Sequence, residues 1–357
     1  MLKPGTQSIV DWPAGRPPEL VVVVDTEAEF DWGFPPRRTR GVSSIKCQAQ
    51  VQRIFERYAV RPTFVLDYPV SRTPEGFQPL RDLYQSGACE IGAHLHPWNN
   101  PPFVEQKTDK NSYPGNLPSE LEREKLIELT RSIQENVGVR PRIYKAGRYG
   151  VGSATARILA ELSYEVDVSV LPGTDLSHKF GPDFSNCPAC PYWFGDDLQL
   201  LEIPLSIGYT GLLALTGRLA YELTMNECLK ALHVPGILAR LGLIERITLT
   251  PEGISFEEQR RLTRSLLRKG HRIFSYTYHS TSLVPGSTPY VRNETDLQAF
   301  LRRIDQYLDF FTREIGGRGA TPLEVKALAE RYCRPQRNGR DPAAQRDDLP
   351  LQQREFL

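Results

Sequence analysis

Two histidines two positions apart, His94-Leu95-His96, end a stretch (Cys89-Glu90-Ile91-Gly92-Ala93) that reads as a strand. In an extended segment, residues i and i+2 face one side, so both imidazoles address one point and can chelate one metal ion. The chain has only six His, so two at this spacing carry information. The plain alternative is a pair of satisfied polar residues at a sheet rim. A second pair with the same spacing, Asp25 and Glu27, follows the run Val21-Val22-Val23-Val24. That stretch alone leaves a helix N-cap with a first-turn acid equally open. Together the four residues form the mixed imidazole and carboxylate set a catalytic metal needs, with positions left for water and substrate.

Three further residues can take part in such chemistry. His279 ends a late strand-like segment, Arg272 to Tyr278, and can act as a general acid. Asp167, in the alternating segment Tyr164 to Val170, can orient it through a ring nitrogen. Arg148, beside Gly147 and Gly150, suits holding a carboxylate or an oxyanion, although a surface Arg in a loop reads the same way. Trp32, Trp98 and Trp193 fall in predicted loops, where they are either sugar-stacking surfaces or packing anchors.

The elements that must position these residues follow from hydrophobic period. A continuous Val run is a strand buried on both faces, as in parallel sheets. Val51, Ile54, Phe55 and Tyr58 mark a helix, and Arg61 to Leu66 a second strand. A helix over 80–85 precedes the strand that carries the His pair. A long Pro- and Asn-rich segment, Pro97 to Pro118, follows it, and loops of that length are usually functional or disordered. Ser119 and Glu122 form a capping-box pattern for a helix that Gly138 ends, and Ser255 and Glu258 form another for a helix ending at Gly270. A strand over 142–146 opens into the Gly-flanked turn of Arg148, and a helix starts at Ser153. Residues 172–220 are the least periodic, with a strand over 200–205. Helices are expected over 221–232 and after Pro235, a strand over 246–250, and helices from Thr295 and from Thr321-Pro322-Leu323-Glu324. Strand alternating with helix predicts a parallel sheet of βαβ units. Residues 1–18 are expected to be a loose lead-in, 19–333 one folded unit, and 334–357 a polar tail without packing.

Composition excludes several classes. The 357 residues are 40% hydrophobic and 24% charged with net charge +1, so no global field recruits nucleic acid or an anionic membrane. No apolar run reaches the length of a membrane span, and the first twenty residues lack an apolar signal core, so a cytoplasmic location is expected. Cys47, Cys89, Cys228 and Cys333 read as reduced packing residues; Cys187-Pro-Ala-Cys190 is one CxxC pair with no second pair to complete a structural zinc site. There is no GxGxxG or GxxxxGK[ST] phosphate loop and no nucleophile elbow.

In their order, these motifs resemble the polysaccharide deacetylase family (NodB-homology, carbohydrate esterase family 4), over about residues 19–283. Val24-Asp25-Thr26-Glu27 is similar to the family's first motif, and Arg61-Pro62-Thr63-Phe64 to its second strand. Glu90 to His94 resembles the approach to its His motif. The family usually spaces those His four apart, a position held here by Trp98, so His96 is the available substitute. Lys145 to Gly150 is similar to the Arg-containing third motif, with Lys145 at the Arg's place and Arg148 sharing the role. Val166 to Ser169 resembles the motif of the acid that tunes the catalytic His, and Tyr278-His279-Ser280 the last motif.

The resemblance implies a single distorted (β/α)7-8 barrel of the NodB-homology type, with extra loops and C-terminal helices. It implies Asp25 as base, Glu27, His94 and His96 as ligands, and His279, Arg148 and Asp167 as further catalytic residues. The expected cofactor is a divalent ion, Zn²⁺ first and Co²⁺, Mn²⁺ or Ni²⁺ next. The expected substrate is an N-acylated saccharide or lipid-linked sugar in cell-surface polysaccharide metabolism. Rival readings are an amidohydrolase-type metal enzyme, which also uses an HxH strand end but on its first strand, and a carbohydrate-binding protein with a degenerate site.

Overall fold

The Val run forms strand β1 (Glu19–Thr26), and all eight of its residues are buried. Val21 to Val24 are at most 1% exposed, so each contributes on the order of 1.5–3 kcal/mol of burial. The structure, a computed structural model, describes residues 9–10, 12–13, 15–30, 39–196, 199–214, 217, 221 and 234–332. Trp32, Cys228, Cys333, the expected tail, most of the expected lead-in and the expected helix beyond residue 221 lie outside the described residues.

A short hairpin, β2 (Glu29–Phe30) and β3 (Thr39–Gly41), follows β1. Next come β4 (Thr63–Leu66), β5 (Glu90–Leu95), β6 (Ile143–Ala146) and β7 (Val166–Asp167). The remaining strands are β8 (Tyr192–Phe194), β9 (Leu200–Glu202), β10 (Ile207–Thr210), β11 (Glu245–Thr248), β12 (Ile273–His279) and β13 (Arg318–Gly319). The main sheet runs β12-β1-β4-β5-β6-β7-β9-β8, with β13 also on β1. All these pairs are parallel except β8 with β9. Past β9 the chain still bonds to the segment after β7, Leu205 N–H to Val170 O (3.0 Å), and irregular backbone bonds then bridge it to β12: Ser206 N–H to Ser275 O (3.4 Å), Leu249 N–H to Ser206 O (2.9 Å) and Thr277 N–H to Leu249 O (3.4 Å). The strand–helix rhythm predicts the parallel βαβ sheet, and the sheet curls into the distorted (β/α) barrel that the family resemblance implies.

The two faces of β1 serve two cores. Leu20, Val22 and Val24 pack outward with residues of the surrounding helices, among them Gln48–Arg57, Ser119–Val137 and Glu294–Asp309. Val21 and Val23 point into the barrel with Val65, Ile143, Val166, Leu201 and Ile273, and Val325 and Ala329 of the last helix, Pro322–Tyr332, join this inner cluster. At Gly92 a Cβ would stand 2.8 Å from Val65 Cγ1 and 2.9 Å from the Ile143 carbonyl oxygen, so the His-bearing strand needs glycine there to fit the interior.

The capping boxes differ in outcome. Ser255 and Glu258 cap one another as expected, and Thr321 and Glu324 do the same through bonds of 2.8 and 3.3 Å. The Ser119 box does not form: that helix starts with Pro118 at its N-cap, and Glu122 turns inward to accept a hydrogen bond from Thr155 at 2.6 Å. Trp193, expected in a loop, lies in β8 and is 2% exposed, a packing residue. Cys47, Cys89, Cys187 and Cys190 are free thiols. Among the described residues no helix is long and apolar enough to cross a membrane.

Candidate metal centre and acid–base pair

Parallel pairing places directly opposed residues on the same face, and the inward parity of β1 continues past Val21 and Val23 to Asp25. In register, Asp25 stands between His279 on β12 and Val65 on β4, and His94 stands beside Lys145 on β6. The C-terminal ends of β1, β5, β6 and β12 therefore deliver their side chains to one pocket, at the end of a barrel where catalysis is usually found.

Glu27, His94 and His96 meet there, all buried, with one ligand atom from each within 4.8 Å of the others. Glu27 Oε2 lies 2.8 Å from His96 Nε2 and 3.6 Å from His94 Nε2. His94 Nδ1 is 3.0 Å from the Lys145 carbonyl oxygen. A carbonyl only accepts, so Nδ1 carries the proton and Nε2 presents its lone pair to the centre, the orientation typical of ligating imidazoles. His96 is held by the Trp98 ring, 4.2 Å away between centroids, and by His94 at 4.4 Å. The backbone around Glu27 is fixed by Ser280, whose Oγ accepts from the Glu27 N–H at 3.1 Å. Among the described residues, Glu27 Oε1 is buried with no hydrogen-bond partner. An orphaned carboxylate oxygen beside two converging imidazoles fits a divalent cation.

Burial alone would raise the Glu27 carboxyl. Its hydrogen bonds with His94 and His96, and the charge of His279, outweigh burial and hold it well below the usual carboxylate range.

Across the pocket, Lys145 donates to both oxygens of Asp25, at 2.5 and 2.8 Å, and to Thr277 Oγ1 at 3.0 Å. Burial pushes Asp25 up, but Lys145, with His94 and His279, brings it below its ordinary value, so it is ionised. His279 Nε2 is 3.8 Å from Asp25 Oδ2. Its Nδ1 is 2.8 Å from Glu252 Oε2, and its backbone N–H donates to Glu252 Oε1 at 3.1 Å. Burial would lower the imidazole; the Glu252 carboxylate, then Glu27 and Asp25, raise it to about 10. At neutral pH this imidazole is a charged proton donor.

Two expected residues lie elsewhere. Asp167 does not orient His279. In register it is opposite Tyr144, whose side chain packs outward, whereas Val166 opposes the inward Ile143. A single step of strand parity thus turns Asp167 away from the pocket, where it accepts from Ser169 Oγ at 2.5 Å beside Glu202. Burial raises both carboxyls: Asp167 to about 6, against hydrogen bonds with Glu202 and Ser169 that lower it, and Glu202 well above its ordinary value, with the Asp167 carboxylate pushing it further. Arg148 does not reach Asp25 either. It pairs with Asp109 at 2.5 Å and with Ser112, and stacks 4.1 Å from the Tyr113 ring centroid. Lys145 alone fills the place the two were expected to share. Glu252 is the residue the sequence reading missed. Its signal was available: Thr250-Pro251-Glu252-Gly253 directly follows a strand and precedes a capping box.

No family model matches the sequence. No curated protein matches it. Among solved structures, a presumed polysaccharide deacetylase from Mycobacterium smegmatis aligns with TM-score 0.52 at 16% identity, covering 96% of this chain and 99% of that one. A presumed glycoside hydrolase/deacetylase from Parabacteroides distasonis aligns with TM-score 0.54 at 10% identity, covering 92% of this chain and 73% of that one. The likeness is one of fold: nearly the whole chain adopts the NodB-type deacetylase barrel.

Proposed function

We propose that the chain is a metal-dependent hydrolase that removes an N-acetyl or similar acyl group from an amino sugar or saccharide. The observation that supports this best is the facing of two sets in one pocket: Glu27, His94 and His96 on one side, Asp25 and the His279–Glu252 pair on the other. Glu27, His94 and His96 would hold the ion, Zn²⁺ by their donor types. When bound, such an ion supplies Lewis-acid polarisation of an amide carbonyl and a water that is nucleophilic at neutral pH.

Asp25, kept ionised and fixed at both oxygens by Lys145, takes the proton of the attacking water. His279, kept protonated by Glu252, gives its proton to the departing amine nitrogen, and Glu252 holds the ring so that Nε2 faces the reaction. The half-buried Trp98 beside His96 offers an aromatic surface next to the centre. The HxH pair ends the third barrel strand after β1 and β4, whereas an amidohydrolase-type site would carry it on the first. The test is acetate release from a panel of N-acetylated saccharides by protein loaded with Zn²⁺ or Co²⁺. Release that is abolished in Asp25→Asn and His94→Ala is expected; no release from any member by protein that binds the ion would refute the deacetylase reading.

A further inference from the structure

Asp67 follows β4 and is fully buried. Its Oδ1 accepts from the Val70 N–H at 3.0 Å and caps the short helix Tyr68–Arg72. Its Oδ2 makes two bonds that capping does not require: it accepts from the Ala28 N–H at 2.9 Å and from Asn99 Nδ2 at 2.9 Å. Ala28 is the neighbour of Glu27. Asn99 donates its own N–H to the His96 carbonyl at 3.3 Å, closing the single turn that begins at His96. The Asp67 N–H also donates to the Thr26 carbonyl at 3.1 Å, on the other side of Glu27. β4 lies between β1 and β5 and brings no ligand of its own.

We infer that Asp67 is a positioning residue for the metal centre, one oxygen of which sets the separation between the Glu27 and His96 backbones; this rests on the metal reading above. The chemistry selects a carboxylate. Three N–H donors aim at two oxygens; burial raises this carboxyl to about 7, and the Ala28 and Val70 N–H groups oppose that rise by favouring its ionised form. Asparagine offers one oxygen and an NH₂ group, so in either orientation Asp67→Asn turns a donor against Val70 or against the Ala28–Asn99 pair. Asn99→Ala removes only the link to the His96 turn and leaves Asp67 bonded to Val70 and Ala28.

Co²⁺ titration of the metal-free full chain, followed by its visible d–d absorption, tests the inference. Asp67→Asn and Asn99→Ala are expected to bind Co²⁺ roughly 10–100-fold more weakly than wild type, as for other groups that orient ligands, with an altered band. Asn99→Ala should melt within a few degrees of wild type without metal, and it carries the test if Asp67→Asn does not fold. Wild-type affinity and band shape in Asn99→Ala would overturn the inference while leaving the metal reading in place. No Co²⁺ binding by the wild type would overturn both.

Discussion

Gly147→Ala adds one methyl group where the structure has no room for it. Gly147 starts the turn after β6, and a Cβ there would stand 2.2 Å from His96 Nδ1 and 2.5 Å from the Leu95 carbonyl oxygen. Both atoms belong to the segment that presents the His pair, so relief requires the backbone at Leu95 to shift away from the turn and the His96 ring to move with it. Restoring ordinary contact requires the ring to move by about 1 Å, since real Cβ contacts lie near 3.4 Å or beyond. The His96 Nε2 contact with Glu27 Oε2 is 2.8 Å and cannot survive a displacement of that size. Overpacking of this kind costs about 1–3 kcal/mol, which for a large domain lowers Tm by several degrees. The larger effect is expected on the centre: a loss of roughly 10–100-fold in metal affinity, measured by Zn²⁺ competition against a chromogenic chelator. A Gly147→Ala protein that melts a few degrees low yet binds Zn²⁺ as tightly as wild type would refute the reasoning, because His96 would then not belong to the centre.

Glu252→Gln and Asp167→Asn form a contrasting pair. Removing the Glu252 charge takes away the largest cause that raises His279 and leaves only Glu27 and Asp25 to oppose burial, so the basic limb of the rate profile should move down from about pH 10 and the rate at neutral pH fall roughly 10²-fold or more; Asp167→Asn should leave the profile unchanged, and the reverse result in a pH-rate comparison would restore the sequence-based assignment. Glu122 is raised to about 7, first by burial, against an ordinary value of 4.5. Its folded state therefore holds a proton that the unfolded chain has lost, so its contribution is fully present below about pH 4.5 and fades as pH rises through about 7, a change of about 3 kcal/mol at most. Glu122→Gln keeps an acceptor for Thr155 and should flatten the fall in Tm between pH 5 and 8; parallel wild-type and variant curves would contradict this.

What could be read in the sequence was whatever one strand's own period decides. Asp25 and Glu27, like His94 and His96, are i,i+2 pairs on strand ends, and the structure brings the second acid and both His to one point. His279 was legible for the same reason. The misplaced residues depended on information a single segment does not hold. Asp167 and Ser169 lie on one face of an alternating stretch and Val166 and Val168 on the other, and only the register against Tyr144 and Leu201 decides which face is inside. Arg148 lies in a turn where it and Tyr149 both have positive φ, 54° and 59°, so strand periodicity ends at Ala146 and does not extend to its side chain. Asp109, which captures it, sits in a long loop with no periodicity at all. Lys145, by contrast, has strand parity with Ile143, and the opposed His94 fixes its inward direction. A residue's reach toward Asp25 was therefore set by parity before its charge, and a lysine in register outcompeted an arginine three residues beyond it.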